Sequence, residues 1–226
     1  MRMIKATTAL LFAALAVGCT DTKPQQGSAL NTDTYPMTRI DVASGAQVWR
    51  WRADHFQPSN YRALKIEPLT ITPAPKFDDQ VSRDVVENIR QEIARSLRDE
   101  AQRAGVPLTR ASGEGVLTLR PEIVSVNVSL QEMKLKEAIP IRLLFSGAEL
   151  ALGLRDQDVT FLFEYTLIDS ETSEVLLKGV RHANTAPLKS DTEQLTSEHA
   201  AEMLRTLAKD ISSEFSSLQT QLHQSK

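Results

Sequence analysis

Cysteine and aromatic residues are scarce in this sequence. Its 226 residues include a single cysteine, Cys19, and only 5% of them are aromatic. One cysteine cannot form an internal disulfide, and a thiol with no histidine cluster beside it makes a poor metal site. These scarcities exclude a disulfide scaffold and a zinc module, and we expect no metal and no cofactor.

An excess of charge of one sign is also missing. Lysine and arginine number 26, and aspartate and glutamate number 29, which leaves a formal net charge of -3. Because domains that bind nucleic acid usually carry a basic excess, the composition predicts no nucleic-acid partner. The 9 glycines and 10 prolines exclude a collagen-like chain, and the length suits one core better than two large domains.

The N-terminal apolar segment is too short to cross a bilayer. Arg2 and Lys5 precede residues 6–17, which are uncharged and mostly alanine and leucine. A spanning helix needs about 20 apolar residues, whereas a short basic region followed by a short apolar region is typical of a secretory signal peptide. We therefore predict that residues 1–18 form a signal peptide that is removed.

The end of this segment points to lipidation. Leu15-Ala16-Val17-Gly18-Cys19 resembles the lipobox of bacterial lipoproteins, although Ala16 stands where the preferred pattern has leucine. In that resemblance the Cys19 thiol takes a diacylglycerol group and the freed amine is usually acylated, with palmitate as a typical chain. Two or three chains anchor a protein stably. The alternative is an ordinary secreted protein, but the lone cysteine falls at the one position that lipidation requires.

The residues after Cys19 predict a location and a tether. By resemblance to the sorting rule in which aspartate at the next position retains a lipoprotein at the inner membrane, Thr20 predicts an outer-membrane protein that faces the periplasm. The polar composition predicts that residues 19–48 form a lipidated, disordered tether. An alternative for Tyr35–Val42 is an extended arm along the domain. Residues 49–226 are predicted to form a single α+β periplasmic domain.

Tryptophan and arginine alternate at the predicted start of the domain. In a strand, Trp49 and Trp51 lie on one face and Arg50 and Arg52 on the other. One interpretation is a surface for a partner or a ligand, such as a lipid headgroup or a glycan. The interpretation we favour is an edge segment whose tryptophans pack on the core.

Hydrophobic periodicity predicts the remaining elements. We expect strands over residues 61–71, 116–130, 158–168 and 175–183, and helices over about 78–104 and 190–222. Asp78 and Asp79 are the expected cap of the first helix, and Ser190 with Glu193 the capping box of the second. This order predicts an α+β fold: a mixed, mainly antiparallel sheet of four to five strands with two long helices packed on one face.

The segment over residues 132–157 has no clear pattern but is strongly apolar. Its most apolar stretch contains Ile139, Ile141, Leu143, Leu144 and Phe145. We favour a buried core segment, because long exposed apolar patches are rare on soluble domains. The alternative is a surface flap that contacts a partner or the membrane, or a lid over a ligand.

Catalytic motifs do not occur in the sequence. It contains no G-x-S-x-G elbow, no Walker loop and no dinucleotide fingerprint. Glu198, His199 and Glu202 form an E-H-x-x-E pattern, but His199 also lies on an apolar stripe, which favours a packed histidine over a metal ligand. We therefore predict a protein that is not an enzyme.

Three motifs carry a resemblance to a known family. They are Tyr61-Arg-Ala-Leu-Lys-Ile-Glu-Pro-Leu, Gly115-Val-Leu-Thr-Leu-Arg, and the segment from Glu164 through Asp169-Ser-Glu-Thr-Ser-Glu-Val-Leu. Together they resemble a bacterial lipoprotein family known as domain of unknown function 3313, over roughly Trp49 to Leu218. Ser173 stands where that turn commonly has glycine. The resemblance implies no catalytic residues.

We expect a noncatalytic, outer-membrane-anchored accessory or scaffold of an envelope machine. Its predicted partners are the membrane, through the lipid anchor, and an unidentified envelope protein, because an anchor and a tether explain co-localisation. The alternative is a binding domain for a lipid or another apolar ligand, with residues 139–154 as the lid. A hydrolytic enzyme is the remote alternative.

Overall fold

The computed structural model describes residues 35–72, 77, 79–130 and 157–223. Within these ranges the chain forms two long helices and one sheet of seven strands, rather than the four to five that we expected. The helices are α1 (Arg83–Arg103) and α2 (Ser197–Leu222). The strands are β1 (Thr38–Asp41), β2 (Gln47–Arg52), β3 (Ala63–Ile66), β4 (Thr70–Ile71), β5 (Val116–Leu130), β6 (Gln157–Asp169) and β7 (Val175–Asn184).

The sheet is mixed and mainly antiparallel. Its strand order is β1-β2-β7-β6-β5-β3, and β4 also pairs with β5. Both β3 and β4 run parallel to β5, because α1 forms the crossover between them; every other pair among the described strands is antiparallel. The expected strand over residues 61–71 is thus two short strands, separated around Pro68, which has no N–H to donate.

The sheet begins earlier in the chain than the predicted domain. In β1, Ile40 pairs with Val48 of β2, so residues 38–48 belong to the domain and the predicted tether does not extend to residue 48. The alternative of an arm over Tyr35–Val42 matches the position of β1. Composition misled the prediction because an edge strand needs few apolar residues: only Ile40 of β1 is partly buried. Residues 1–34, including Cys19, lie outside the described residues.

Both helix caps differ from the expected ones. The Ser82 hydroxyl accepts a hydrogen bond from the N–H of Val85 at 3.3 Å, so Ser82 rather than Asp79 caps α1; Asp78 lies outside the described residues. Thr196, not Ser190, caps α2. Its hydroxyl accepts the N–H of His199, and Nδ1 of His199 accepts the N–H of Thr196 at 3.2 Å. A histidine takes the place of the usual glutamate in this reciprocal cap.

Strand β5 continues through Pro121 as one element. Pro121 pairs with Tyr165 of β6, and the register shifts between Ile123 and Ser125, which indicates a β-bulge at that point of the strand. Alternate residues of β6 (Val159, Phe161 and Phe163) belong to the same buried cluster as the apolar stripes of α1 and α2. Both helices therefore cover one face of the sheet, and the core lies between them.

Candidate functional site

A cleft of about 170 Å³ lies between the sheet and the helices. Apolar side chains from five elements and the β3–β4 region form most of its wall, among them Leu69, Ile93, Leu97, Leu119, Phe163, Leu207, Ile211 and Phe215. A second cleft of about 250 Å³ shares Arg50, Leu119, Tyr165, Glu214 and Phe215 with the first. The two clefts therefore meet at a small group of polar side chains.

A buried ion pair stands in the wall of the first cleft. Arg181 of β7 binds the carboxylate of Asp210 of α2, and both side chains are only 7% exposed. Asp210 also accepts hydrogen bonds from the N–H and the hydroxyl of Ser44, at 2.6 and 2.8 Å. Charges this deeply buried are tolerated only when they are paired and hydrogen-bonded. Asp210 thus joins α2, β7 and the β1–β2 turn.

The ion pair with Asp210 does not provide an acceptor for every N–H group of the Arg181 guanidinium. Its Nε is buried and has no hydrogen-bond partner among the described residues. An arginine side chain offers five N–H donors, and a buried donor without an acceptor costs free energy. The ion pair with Asp210 therefore leaves one buried N–H of Arg181 without an acceptor among the described residues.

A second polar cluster separates the two clefts. Arg50 of β2 donates to the Tyr165 hydroxyl from Nε at 3.1 Å and from Nη2 at 2.8 Å, and Nη2 also binds Glu214 of α2 at 2.7 Å. Burial raises the pKa of the Tyr165 hydroxyl, and the neighbouring guanidinium only partly opposes this shift. Burial lowers the pKa of Arg50, but Tyr165 and Glu214 outweigh it and raise the pKa overall. Tyr165 is therefore neutral and Arg50 charged at physiological pH.

Gly179 makes room for Tyr165. The two residues face each other across β6 and β7, and a Cβ atom at position 179 would overlap the Tyr165 ring. The absence of a side chain lets the ring lie against the β7 backbone, from where its hydroxyl reaches Arg50. The glycine is thus part of the architecture of the cleft.

Arg181, Asp210 and Glu214 are site residues that were not predicted from the sequence. Signals for two of them were present in the pattern. Asp210 lies on the buried stripe of its helix, between Leu207 and Ile211, and Arg181 occupies the strand phase of buried Ala183. Charged residues at core positions require a partner.

The two tryptophans, expected in an edge segment that packs on the core, lie on the sheet face opposite the cleft, and β2 is an inner strand between β1 and β7. Val48 and Arg50 line the cleft, so the alternation of β2 places Trp49 and Trp51 on the face away from the helices. Both tryptophans are half-buried, and Trp51 also contacts the core cluster. Tyr35 packs edge-on against Trp51 at 4.8 Å between ring centroids, and Lys178 Nζ lies 4.5 Å from the Tyr35 centroid.

Among the remaining predicted features, His199 lies within the described residues, whereas Cys19 and the apolar stretch do not. His199 is the partner of Thr196 in the reciprocal cap of α2, and its Nε2 lies 3.4 Å from Glu193 Oε1. In the described ranges no three His, Cys, Asp or Glu side chains are grouped so as to hold a metal ion. No helix in those ranges has the length and apolarity needed to cross a membrane. Cys19 and the stretch containing Ile139, Ile141, Leu143, Leu144 and Phe145 lie outside them.

Comparison with known proteins gives a family match and one group of curated relatives. A family model described as "Protein of unknown function (DUF3313)" matches residues 35–211. The "Uncharacterized lipoprotein YdcL" of Escherichia coli K12 is 28% identical over 196 residues, which cover 85% of this chain and 87% of that protein. This similarity supports the lipoprotein interpretation of the N-terminal sequence.

Solved structures show similarity at low sequence identity. The PelC dodecamer from Paraburkholderia phytofirmans is 9% identical with a TM-score of 0.36, and the match covers 76% of this chain and 96% of that chain. Protein XCC0632 from Xanthomonas campestris, of family DUF330, is 9% identical with a TM-score of 0.39, covering 75% and 90%. At TM-scores below 0.5 these similarities carry no functional inference.

Proposed function

We propose that this chain, which belongs to the DUF3313 family of lipoproteins of unknown function, is a noncatalytic domain that binds an apolar ligand between its sheet and its helices. The observation that carries the proposal is the cleft of about 170 Å³ with apolar walls and a few buried polar groups. Binding sites for small molecules typically have this composition. The geometry of the described residues thus favours what the sequence offered as an alternative.

The arrangement of polar groups supports binding over simple packing. Apolar side chains alone would fill the space between sheet and helix more tightly, as most protein cores do. Here two arginines and four carboxylates line the cleft, and the missing side chain at Gly179 admits the Tyr165 ring. These groups fix the position of the polar atoms beside an apolar space.

Photolabelling tests the proposed function. The full-length, lipid-anchored protein in vesicles is irradiated with a long-chain alkyl diazirine that has no head group, and labelled peptides are identified by mass spectrometry. We expect label on β6 and α2 peptides. Leu207→Trp, which fills the cleft, should lose this label, whereas Ser213→Trp on the exposed side of the same helix should keep it. Absence of label from the cleft peptides in the wild-type protein would refute the proposal.

A second candidate function is contact with an envelope protein through the tryptophan face. Tyr35, Trp49 and Trp51 are partly exposed and Lys178 lies beside them. Tryptophan and tyrosine are enriched where proteins bind each other. In-cell crosslinking of the full chain distinguishes the two functions: Trp51→Ala should lose a protein crosslink and keep the alkyl label, and Leu207→Trp should do the reverse. A crosslink that survives Trp51→Ala would remove this face as the contact.

We propose the outer membrane as the location of the anchor. The support is the lipobox resemblance at Cys19 and the residue Thr20 that follows it. Density-gradient separation of the two membranes should find the protein in the outer-membrane fraction, and Thr20→Asp should shift it to the inner membrane. Cys19→Ser should abolish labelling by radioactive palmitate, and retained labelling would exclude Cys19 as the acylated residue.

A further inference from the structure

Strand β5 extends beyond the strands that pair with its outer edge. On one edge, β6 pairs with β5 from Leu117 to Leu130. On the other edge, β3 and β4 pair with β5 only as far as Ile123. Over Val124–Leu130, no strand among the described residues pairs with this second edge. The N–H and C=O groups that point outward there form a template on which a further strand can pair.

The other two edges of the sheet are protected against strand addition. At the edge of β3, the Leu64 N–H donates to the Pro107 carbonyl at 2.8 Å, and the Leu64 carbonyl accepts the Thr109 N–H at 3.0 Å. At the other end of the sheet, β1 has only four residues, of which one is arginine and one aspartate. Covered, short and charged edges prevent unwanted pairing. Val124–Leu130 is longer than β1 and contains neither a charged residue nor a proline.

The sequence along this edge reads the same in both directions. Ser125-Val126-Asn127-Val128-Ser129 is a palindrome about Asn127, and it is flanked by Val124 and Leu130. If the segment pairs antiparallel with a second copy of itself about a two-fold axis at Asn127, valine lies opposite valine, serine opposite serine and asparagine opposite asparagine. Matched pairs of β-branched residues and of hydroxyl residues stabilise antiparallel strands. A two-fold interface requires this self-complementarity.

The register with β6 shows which face of the sheet each position belongs to. Val126 pairs with Phe161 and Val128 with Val159, and both partners belong to the buried cluster under the helices. Asn127 has the opposite phase. Because directly opposed residues of an antiparallel pair lie on the same face, a two-fold axis at Asn127 puts the helix-covered faces of both sheets on the same side. The two sheets would then continue as one.

We propose that two copies of this chain associate by antiparallel pairing of their Val124–Leu130 edges, with Asn127 at the two-fold axis. The occupant of the edge is a second copy, because the segment is uncharged and complementary to itself. Main-chain hydrogen bonds hold the two strands together. Among the described residues that line the two clefts, none belongs to this segment, so the interface does not depend on the proposed ligand.

Disulfide trapping in membranes that contain the full-length chain tests the register. Asn127→Cys places the new thiol opposite its own copy, at a Cα separation of about 4.5–5.5 Å that a disulfide can bridge. We expect a dimer that reduction abolishes. The wild-type chain, whose one cysteine is Cys19, is the background control.

Ser129→Cys is the matched control for this trapping. In the proposed register, position 129 lies opposite position 125 and about 13 Å along the strand from its own copy. The Ser129→Cys protein alone should therefore form little dimer, whereas Ser129→Cys and Ser125→Cys expressed together should form a mixed one. Equal trapping by Asn127→Cys and Ser129→Cys would indicate random collision. That result, or no trapping by either Asn127→Cys or the mixed pair, would overturn the proposal.

Charge exchange at the axis tests association without a crosslink. Asn127→Lys sets two like charges directly opposite each other, as does Asn127→Asp, whereas a mixture of the two variants sets lysine opposite aspartate. Copies with two different affinity tags are co-purified from detergent-solubilised membranes. We expect each variant alone to associate about fivefold more weakly than the wild type, and the mixture to recover. An unfolded variant could not recover in this way. Wild-type copies that do not co-purify, or variants that show no loss or no recovery, would contradict the two-fold pairing.

Hydrogen exchange distinguishes a second copy from another part of the same chain as the occupant of the edge. With a second copy, alternate amides over residues 125–129 should exchange more slowly in the wild-type protein than in Asn127→Lys, because the charge separates the two strands. Equal protection in both proteins, together with a monomeric mass, would show that the chain covers its own edge and would refute the dimer.

Discussion

Helix α2 carries two carboxylates one turn apart, and each meets an arginine of the sheet in a different environment. Asp210 and Arg181 are both 7% exposed, whereas Glu214 is 48% and Arg50 is 19% exposed. The first pair is also bonded to the β1–β2 turn, and the second to Tyr165. The Asp210–Arg181 pair therefore joins three elements of the fold, whereas the Glu214–Arg50 pair, one helical turn later, lies between two clefts.

The comparison teaches that burial, and not the presence of an ion pair, sets the structural role. Removing one partner of a buried pair leaves an uncompensated charge, which costs far more than the pair gained on forming. An exposed pair is screened by water and contributes little. We therefore expect substitutions at Asp210 to affect folding and substitutions at Glu214 to affect mainly the space between the clefts.

Asp210→Ala should give the largest loss of stability. It leaves the Arg181 charge buried without its partner and frees the Ser44 turn, so we expect the free energy of unfolding to fall by about 3–5 kcal/mol. Urea denaturation measures the loss. A matched control is Asp210→Ala combined with Arg181→Met, which removes both charges and should recover part of the stability. A loss below about 1 kcal/mol for Asp210→Ala would show that the pair is as unimportant as an exposed one.

Gly179→Ala should have the next largest effect, and it acts on the cluster of Arg50, Tyr165 and Glu214. The new methyl group overlaps the Tyr165 ring, which must move away from Arg50. Such overpacking typically costs about 1–3 kcal/mol. In a Tyr165→Ala background the same substitution should cost much less, as measured by a double-mutant cycle. Equal costs in both backgrounds would mean that Tyr165 is not the obstacle.

Some features of this fold could be predicted from the sequence pattern, and others could not. The apolar stripes of both helices and the alternation in β6 predicted which faces are buried, because helix and strand periods depend only on local geometry. Strand β1 was not predicted because its one partly buried residue, Ile40, cannot produce an alternation of apolar and polar residues. The caps at Ser82 and Thr196 replaced the expected ones because several polar residues precede each helix and only the fold selects among them.

The site depended on contacts between distant parts of the chain. Arg50 precedes Tyr165 by 115 positions and Glu214 by 164. Periodicity places Arg50 on one face of its strand but gives no information on which strand or helix that face meets. The order β2-β7-β6, which puts Arg50 next to Gly179 and Tyr165, is a property of the whole sheet. Strand order is the part of this fold that local pattern could not supply.

Glu214→Gln should have a small effect on stability, and this sharpens the contrast with Asp210. Because Glu214 is half exposed, we expect a loss of at most about 1 kcal/mol, which becomes smaller as salt is added. Unfolding curves at low and high ionic strength measure both quantities. A loss comparable to that of Asp210→Ala would contradict the distinction between a buried ion pair and a partly exposed one.

Tyr165→Phe should change the pH dependence of stability by the smallest amount, and it tests the cluster of Arg50, Tyr165 and Glu214 alone because the Arg181–Asp210 pair contains no tyrosine. Burial raises the pKa of Tyr165 above its ordinary value of about 10. The folded protein therefore holds this proton at pH values where the unfolded chain has lost it, so the associated stability is complete below about pH 10 and declines as the pH rises further.

The comparison between wild type and Tyr165→Phe isolates this contribution. The pKa of Tyr61 is also raised, by burial and by its hydrogen bond to Asp169, but Tyr61 is present in both proteins and cancels. Urea unfolding at neutral pH and above pH 10 should show that the wild-type protein loses more stability than the variant over this interval. Parallel losses would mean that Tyr165 titrates as it does in the unfolded chain, and that the cluster between the two clefts is open to water.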